Sequence, residues 1–367
     1  MHVYLHVPFC ARRCSYCDFA IAVRRRIPSE EYVELVLREW EGWQPSAAWE
    51  GSPGIETVYF GGGTPSLLHP AAIGRILERV GRDRNIAGDA EITLEANPDD
   101  VTGAAAATWR AAGVNRVSLG TQSFDPAVLR WMHRTHTGDQ VPRAVERIRA
   151  AGGFGLSLDL IFGLPPALGR DWALDLDRAF ALGPEHLSLY GLTVEDHTSL
   201  QRWTKRGEVT PVDDERYAAE FLAADAALAA AGYEHYEVSN AGLPGHRARH
   251  NSAYWRRAPF IGIGPSAHSA WGAERSWNLR EWKAYARAVR EGRCPSAGRE
   301  RLGPTEVSLE ERYLGLRTIE GLPAEAVPVA HRDRWARKGW AIASAERVRL
   351  TPEGWLRLDA LVASLSD

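Results

Sequence analysis

Short apolar runs alternate with longer amphipathic segments along the first half of the chain. The runs have the length of strands, whereas the longer segments repeat their apolar residues at helical spacing. In the segment 29–43, for example, Val33, Val36 and Trp40 recur on one helical face, and Ser29 is the predicted N-cap. The pattern predicts strands at 3–7, 55–60, 91–95, 114–119, 156–162 and 186–194. It predicts helices at 29–43, 70–82, 101–112, 125–132, 139–151 and 171–182.

Strands that alternate with helices predict an α/β fold with a parallel sheet and right-handed crossover connections. Six units are too few for a closed eight-unit barrel, and they suit an open three-quarter (β/α)6 barrel. A doubly wound sheet has the same periodicity but concentrates its site at one switch point. Barrels carry their chemistry at the carboxyl ends of several strands. Unusual residues lie near five successive strand ends and favour the barrel: Cys10, the segment 61–64, Glu95, Gln122 and Asp159.

The second half of the chain predicts a few further elements and a small second domain. A helix at 213–231 and a strand at 233–239 precede a connector rich in Gly and Arg, and 281–291 again has helical spacing. The Pro, Gly and charged residues of 294–303 predict a linker. The last part predicts a winged-helix-like α+β domain, from the order helix (308–319), helix (331–338), strand pair (340–350) and helix (353–364). We therefore expect two domains, residues 1–300 and 301–367.

Composition limits the classes of function. The 367 residues are 45% hydrophobic and 25% charged, with a net charge of -3. These values are ordinary for globular proteins and give no positive excess for nucleic-acid binding. The mixed charges of 301–367 also argue against DNA binding, which winged helices often perform. No apolar run reaches the ~18 residues of a membrane span. A strand that starts at residue 3 leaves no room for a signal peptide, so we expect a cytoplasmic protein.

Three of the four cysteines lie in one loop after the first strand. Cys10, Cys14 and Cys17 have C-x3-C-x2-C spacing, whereas Cys294 stands alone. A disulfide uses two cysteines and a closed zinc site uses four ligands, but an iron–sulfur cubane held by three thiolates keeps one iron open. The spacing favours such a cluster in a reducing compartment. Three free thiols, or a zinc knuckle completed by His6, are the alternatives.

Other polar residues near the predicted strand ends are candidates for ligand binding. The sequence GGGTP at 61–65 allows a close backbone approach and left-handed angles. Glu95, Gln122 and Asp159 lie on otherwise apolar strands, where an unpaired polar group is costly. Arg134 follows Gln122 at a short helical distance and can pair with a carboxylate. Each residue alone fits a hydrogen-bonded core position equally well, but together on one rim they favour ligand contact.

The cysteine motif resembles that of the radical S-adenosylmethionine (SAM) superfamily. The motifs YxHxPFCxxxCxYC, GGGTP, LEANP, GxQSF, DLIxGLP and GIGxSAH together resemble the oxygen-independent coproporphyrinogen III oxidase family along nearly the whole chain. The resemblance implies a radical-SAM barrel, a [4Fe–4S] cluster on Cys10, Cys14 and Cys17, and SAM at the open iron. It implies SAM contacts from Tyr4, Tyr16, Gly62, Gly63, Thr64, Glu95, Gln122, Arg134 and Asp159. A second SAM is implied near Thr193 and His268.

Two departures from the oxidases point to a sister branch. The oxidases have a further cysteine two residues after the third, where this chain has Phe19, and they have an extension before the first strand. Both departures resemble a branch of haem chaperones, as does the sequence HNSAYW at 250–255, which matches the signature H-N-x-x-Y-W of that branch. This resemblance implies a protein that binds haem and transfers it to haem-accepting proteins, such as respiratory, membrane-associated ones. A homodimer is compatible with it.

The residues of this signature also suit haem on chemical grounds. Imidazole, here that of His250, is a common axial ligand of haem iron. Tyr254 and Trp255 offer flat faces for a porphyrin, and the arginines at 247, 249, 256 and 257 can pair with propionates. A packed turn with solvated arginines is the alternative. The sequence therefore leaves three hypotheses: a haem chaperone, a radical-SAM coproporphyrinogen III oxidase, and a radical-SAM enzyme with another substrate.

Overall fold

Six parallel strands form the centre of the fold, and they follow one another in the sheet in chain order. The structure is a computed structural model that describes residues 1–365. The strands are β1 (His2–Val7), β2 (Ile55–Gly62), β3 (Ile86–Ala96), β4 (Arg116–Gln122), β5 (Gly155–Phe162) and β6 (His186–Gly191). Each pairs in parallel with the next. The predicted parallel sheet is confirmed, and it stays open because β1 and β6 do not pair with each other.

Helices connect these strands and pack on the outer face of the sheet. They are α1 (Ser29–Trp43), α2 (Pro70–Asp83), α3 (Gly103–Ala111), α4 (Pro126–Trp131), α5 (Gln140–Ala151) and α6 (Trp172–Ala181). The six predicted helices are confirmed to within two residues at each end. The prediction that Ser29 caps α1 is wrong. Ser29 is the first helical residue, and its hydroxyl instead accepts a hydrogen bond from the backbone N–H of His69 (3.0 Å).

Alternate residues of the six strands face opposite sides of the sheet, as the two-residue period of a strand requires. One set is apolar and packs under the helices in a single large cluster, for example Val3 and Leu5 of β1 and Leu156 of β5. The other set faces the inside of the barrel and is largely polar: Tyr4, His6, Tyr59, Thr93, Glu95, Ser118, Ser157, Asp159, Ser188 and Tyr190. The barrel interior therefore holds polar groups that must satisfy one another or a ligand.

Six more strands extend the sheet beyond the barrel, and the sequence predicted only one of them. Beside β6 lie β7 (Glu234–Glu237) and β8 (Asn240–Gly242). Beside β1 lie β9 (Phe260–Ile263), β10 (His268–Trp271), β11 (Glu274–Asn278) and β12 (Ser296–Arg301). The pair β1–β9 is parallel, and the other added pairs are antiparallel. The barrel is thus widened on both sides.

The predicted linker at 294–303 is wrong, because most of it forms the edge strand β12. Ion pairs join β12 to β11 across the ladder, from Arg275 to Glu300 (3.6 Å) and from Arg301 to Glu274 (3.2 Å). Charged side chains are typical of an edge strand that faces water. Composition alone therefore could not distinguish this edge strand from a linker.

Four further helices lie between β6 and β12. They are α7 (Ser199–Lys205), α8 (Asp214–Ala230), α9 (Arg249–Trp255) and α10 (Trp282–Arg290). The predicted helices at 213–231 and 281–291 are confirmed to within one residue. Helix α9 was not predicted, and it contains the whole HNSAYW sequence.

The C-terminal residues form a small α+β unit, as predicted. Its helices are α11 (Pro304–Leu316), α12 (Val329–Arg337), α13 (Pro352–Trp355) and α14 (Leu358–Ala363), and its strands β13 (Leu322–Pro323), β14 (Ala341–Ala343) and β15 (Arg347–Leu350) pair in the order β13-β15-β14. The single helix predicted at 353–364 is two short ones. Buried Trp335 and Val348 belong to the same apolar cluster as the barrel. The domain boundary at residue 301 stays a prediction.

Within residues 1–365, no helix combines the length and the apolar character needed to cross a membrane.

A buried carboxylate joins α1 to the widened side of the sheet. Glu39 is 6% exposed, and its oxygens accept hydrogen bonds from the backbone N–H of Gly264 (2.8 Å), the hydroxyl of Tyr285 (2.6 Å) and the amide of Asn278 (2.6 Å). Burial raises the pKa of Glu39 to about 7, although these three donors oppose the shift. All three partners donate hydrogen bonds, so both terminal atoms of the side chain at this position must be hydrogen-bond acceptors.

We expect Glu39→Gln to lower the free energy of unfolding by about 2 kcal/mol, because the new NH2 group faces a donor and leaves it unsatisfied. Denaturant unfolding measures the change. Glu41→Gln is the matched control, since Glu41 lies on the same helix in an exposed ion pair with Arg79, and we expect a change within about 0.5 kcal/mol. Equal stability of the two variants would contradict the role assigned to Glu39.

Candidate cofactor site

A cavity of about 520 Å³ opens at the carboxyl ends of the six barrel strands. It brings together most of the site residues that the sequence predicted. The predicted residues that line it are Cys10, Cys14, Tyr16, Cys17, Gly62, Gly63, Thr64, Glu95, Gln122, Arg134 and Asp159, and Thr193 lines it as well. Tyr4, His250 and His268 do not line this cavity. The rule that barrel chemistry gathers at strand ends therefore predicted which residues meet in one cavity.

The loop with the three cysteines is held by backbone hydrogen bonds from distant parts of the chain. The N–H of Ser15 donates to the carbonyl of Met132 (3.1 Å), and the carbonyl of Ser15 accepts from Leu200 (2.8 Å). At its start, Phe9 and Cys10 pair with Ala22 and Val23 in a short parallel ladder. The loop is therefore fixed by the fold around it.

Hydrogen-bond donors point at two of the three sulfurs. The hydroxyl of Thr64 lies 3.4 Å from Sγ of Cys10, and Nη1 of Arg134 lies 3.6 Å from Sγ of Cys14. Burial raises the pKa of Cys10, and it raises the pKa of Cys17 to about 11. Without a metal these two residues are thus thiols at neutral pH, and iron would have to displace their protons. Thr64 and Arg134 would then stabilise the thiolates of Cys10 and Cys14.

The zinc alternative does not fit the surroundings of His6. Nε2 of His6 lies 3.1 Å from the carbonyl oxygen of Ala20, so Nε2 carries the proton, and Nδ1 accepts a hydrogen bond from the hydroxyl of Tyr4 (3.1 Å). Both ring nitrogens are therefore occupied. In the described part of the chain, no group of three or more His, Cys, Asp or Glu side chains is arranged around a point that could hold one metal ion.

The glycine turn after β2 passes directly beneath the cysteine loop. The N–H of Gly63 donates to the carbonyl of Val7 (2.8 Å), and the N–H of Thr64 donates to the carbonyl of Phe9 (2.8 Å). A Cβ atom at Gly63 would lie 2.8 Å from both of those carbonyl oxygens. Gly62 has a left-handed φ of 107°, which glycine adopts without strain. The predicted close backbone approach is therefore present, and its partner is the loop itself.

Two partly buried carboxyl groups of the barrel interior line the cavity. Glu95 accepts hydrogen bonds from the hydroxyl of Tyr59 (2.8 Å) and the N–H of Gly62 (3.0 Å), and Asp159 accepts one from the hydroxyl of Ser118 (2.9 Å). Burial raises the pKa of Glu95 to about 7 and that of Asp159 to about 6. Glu95 is therefore near the midpoint between its charged and neutral forms at neutral pH, whereas Asp159 is mostly charged, and a cationic ligand would favour the charged form of both.

Arg134 connects the cysteine loop to two strand ends. Besides Cys14, its guanidinium donates to the side-chain oxygen of Asn97 after β3 (2.6 Å) and to the carbonyl of Gly120 in β4 (2.8 Å). Gln122, two residues after Gly120, has a left-handed φ of 64° and lies where the pairing register between β4 and β5 shifts. The sequence therefore placed Arg134 on the correct rim, but its contacts here are with neutral groups and a sulfur.

Sequence reasoning missed three residues that shape the cavity, namely Tyr59, Asn97 and Ser118. Tyr59 orients Glu95, Asn97 accepts from Arg134, and Ser118 donates to Asp159. A signal for two of them was present, because Tyr59 and Ser118 occupy inward positions in the two-residue period of their strands.

His250 lies at the opposite end of the barrel interior. It is 1% exposed, its Nδ1 is 2.6 Å from the hydroxyl of Thr57, and its Nε2 is 2.7 Å from the hydroxyl of Tyr254. Its ring stacks on Tyr59, with 5.0 Å between centroids, and Tyr4 stacks nearby. Burial lowers the pKa of His250 to about 3, so the imidazole is neutral. The accessible imidazole that the sequence suggested is not present in this conformation, and ligation of haem iron by His250 stays a prediction.

Three of the four arginines around the signature form ion pairs, whereas Arg256 is exposed. Arg247 forms ion pairs with Glu234 and Glu320, and Arg257 forms ion pairs with Glu310 and Glu311 of α11. Arg249 pairs with Asp89 (3.3 Å). The guanidinium of Arg317 lies 4.3 Å from the ring of Trp255. Helix α9 is therefore held between the amino ends of the barrel strands and the C-terminal unit.

Comparison with known proteins shows the family of the chain. The family model "Radical SAM superfamily" matches residues 4–177. A protein of Mycobacterium tuberculosis (strain H37Rv) named "Heme chaperone HemW" is 38% identical over 366 residues, which cover 99% of this chain and 94% of the relative. The Escherichia coli (strain K12) protein of the same name is 33% identical over 99% of this chain and 97% of its own. The chain belongs to the HemW family of radical SAM proteins.

A solved structure of the Escherichia coli coproporphyrinogen III oxidase HemN, described as a radical SAM enzyme, has the same fold as this HemW family member. The TM-score is 0.83, and the match covers 99% of this chain and 89% of the oxidase. The sequence identity is 21%, so this likeness concerns the fold alone. It confirms the predicted radical-SAM barrel with its C-terminal unit.

We expect Gly63→Ala to lower the free energy of unfolding by about 2 kcal/mol, because the added methyl group meets the backbone carbonyls of Val7, at the end of β1, and of Phe9, at the start of the cysteine loop. Denaturant unfolding of the protein without metal measures this. Gly88→Ala is the control, since a Cβ at Gly88 of β3 meets nothing within 4 Å. If both variants unfold like wild type, the close packing between the turn and the loop is not as described.

Proposed function

We propose that this protein is a haem chaperone that holds a [4Fe–4S] cluster on Cys10, Cys14 and Cys17, binds SAM, and passes haem to haem-accepting proteins. The observation that carries the proposal is the pairing of near full-length similarity to proteins named "Heme chaperone HemW" with a cavity that gathers three thiols and two carboxyl groups. The haem is cargo, whereas the cluster and SAM are resident groups.

The residues around the three cysteines suit a cluster. When bound, a cubane with three protein ligands supplies one open iron and an electron for the SAM sulfonium. Thr64 and Arg134 donate toward sulfur, and the positive charge of Arg134 offsets that of the thiolates. Tyr16 lines the same cavity and is partly buried. The protein thus contributes ligands, donors and partial burial, which are the features that tune such clusters.

The carboxyl groups suit SAM, which carries an ammonium group and two ribose hydroxyls. Glu95 and Asp159 can accept hydrogen bonds from these donors, and Tyr59 and Ser118 fix the orientation of the two carboxyl groups. Gln122 and the turn at Gly62 and Gly63 add polar groups to the same wall. We assign SAM binding to this cavity and leave Tyr4, which lies deeper in the barrel, an indirect role through His6.

Binding of SAM should strengthen as the pH rises from 5.5 to 8. The pKa of Glu95 is about 7, so acid neutralises this carboxylate and removes its attraction for the ammonium group; we expect Kd to fall about tenfold or more over this range. Glu95→Gln should bind SAM weakly and lose the part of the pH dependence centred near pH 7, so that only the part from Asp159, whose pKa is about 6, remains. Equilibrium dialysis of SAM against the iron-reconstituted protein measures both, with absorbance near 400 nm as the check on the cluster. A pH dependence that persists unchanged in Glu95→Gln would refute this assignment.

Haem binding at the HNSAYW helix requires this helix to move. Both ring nitrogens of His250 have internal partners, and Glu310, Glu311 and Glu320 occupy arginines that could take propionates. Ion pairs of partly exposed arginines are worth about 0–1 kcal/mol each, so haem carboxylates can compete for them. The neutral imidazole is already in the form that binds iron.

Two substitutions test the haem site in opposite directions. His250→Ala should weaken haem binding about tenfold and abolish the spectral change of axial ligation, because the iron loses its ligand. Tyr254→Phe keeps the aromatic face but removes the partner of Nε2, so it should bind haem more tightly than wild type. Absorbance titration with haemin measures both, and His331→Ala in α12 is the control. Identical titrations of all four proteins would exclude haem binding through His250.

An anaerobic assay with coproporphyrinogen III separates this proposal from the oxidase alternative. The third cysteine is followed by Asp18 and Phe19, without the further cysteine of the oxidases. We expect no protoporphyrinogen IX from the reconstituted protein with SAM and a reductant. Formation of that product would replace the chaperone proposal with the oxidase.

A further inference from the structure

An exposed group of arginines surrounds the cysteine loop. Residues 11–26 contain five arginines and a single acidic residue, Asp18, in a chain whose net charge is -3. We call Arg12, Arg13, Arg24, Arg25 and Arg26 the arginine rim. All of them are exposed except Arg24, which is partly buried. The positive charge of the arginine rim therefore faces solvent.

The rim is directly connected to the cysteines through the backbone. The N–H of Arg24 donates to the carbonyl of Cys10 (3.0 Å), and Nη1 of Arg13 donates to the carbonyl of Cys17 (3.4 Å). Arg12 lines the mouth of the cofactor cavity. A partner that rests on the rim would thus lie next to the residues that hold the proposed cluster.

Two apolar side chains lie within the rim. Phe19 is 58% exposed and lines the cavity mouth, and Val23 is 46% exposed. Large apolar side chains exposed among charges are typical of contact surfaces rather than of solvated faces. Aromatic residues and arginine are also the types enriched where proteins meet. The rim therefore has the composition of a small docking surface.

A cluster that reduces the SAM sulfonium would need an electron from outside this chain. The chain has four cysteines, and the fourth, Cys294, is exposed and far along the sequence from the loop. A second cubane, which would need further thiolates, therefore cannot be built from this chain. The electron would then enter at the surface near Cys10, Cys14 and Cys17, where Arg13 and Arg24 contact the cysteine loop.

We infer that the arginine rim is the docking surface for a small acidic protein that carries one electron on a flavin or an iron–sulfur centre. In the transfer, the reduced carrier loses one electron and the cluster gains it; no bond or proton moves. Opposite charges on the two surfaces steer the encounter and make it sensitive to salt. This inference rests on the proposed function, because it requires the cluster. An anionic membrane is the competing occupant of such a surface.

The test uses a charge reversal on the rim and a matched one elsewhere. Arg25→Glu with Arg26→Glu changes two exposed arginines that do not line the cavity, and Arg334→Glu with Arg337→Glu changes two exposed arginines of α12. Reduced flavodoxin is mixed with each cluster-loaded protein at low and high salt, and bleaching near 400 nm is followed. We expect the rim variant to react about tenfold more slowly at low salt and to lose the salt dependence. The control should match wild type, and photoreduced deazaflavin should reduce all three equally.

A binding measurement gives a second readout that does not need the cluster. Oxidised flavodoxin should bind the metal-free protein at low salt, and the rim variant should lose this binding while the α12 variant keeps it. Equal reduction rates and equal binding for both variants would overturn the inference. A second result would also overturn it: the rim variant no longer binds phosphatidylglycerol vesicles but still binds flavodoxin as wild type does. That result would assign the rim to a membrane. If no cluster forms in any protein, the proposed function fails, and the binding result still decides whether the rim docks an acidic carrier.

Discussion

The guanidinium of Arg134 is the interaction on which the cofactor site most depends. It contacts a sulfur of the cysteine loop and at the same time the ends of two barrel strands, through Asn97 and Gly120. On the other side of the loop, the glycine turn allows two backbone hydrogen bonds that only a residue without Cβ permits. These two contacts set the position of the thiols relative to Glu95 and Asp159, and thereby bring metal ligands and carboxyl groups to one cavity.

The two ends of the barrel interior are physically linked. The hydroxyl of Tyr59 orients Glu95 at the cavity, while its ring stacks on His250 of the HNSAYW helix. A movement of that helix that frees His250 would also remove the ring that supports Tyr59. The cofactor end and the proposed haem end therefore share one residue, and the polar lining of the six strands makes this link possible.

Much of the barrel and of its rim could be predicted from the sequence, because both follow from local periods. The helix at Ser29–Trp43 has the predicted bounds, since its apolar face repeats at helical spacing. Cys10, Glu95, Gln122 and Asp159 meet because parallel strands end on the same side. Strands such as Asn240–Gly242 were missed because they are too short to show a period. The burial of His250 and the pairing of Arg257 depend on Thr57 and Glu310, which are remote in sequence. No local pattern encodes such contacts.

The most direct test of the central claim is electron paramagnetic resonance of the anaerobically reconstituted, reduced protein with and without SAM, together with analysis of iron and sulfide. We predict about four irons and four sulfides per chain, and a signal whose g-values shift when SAM is added, because SAM reaches the iron that lacks a protein ligand. A protein that holds zinc in place of iron, or a complete cluster whose signal SAM leaves unchanged, would contradict the account.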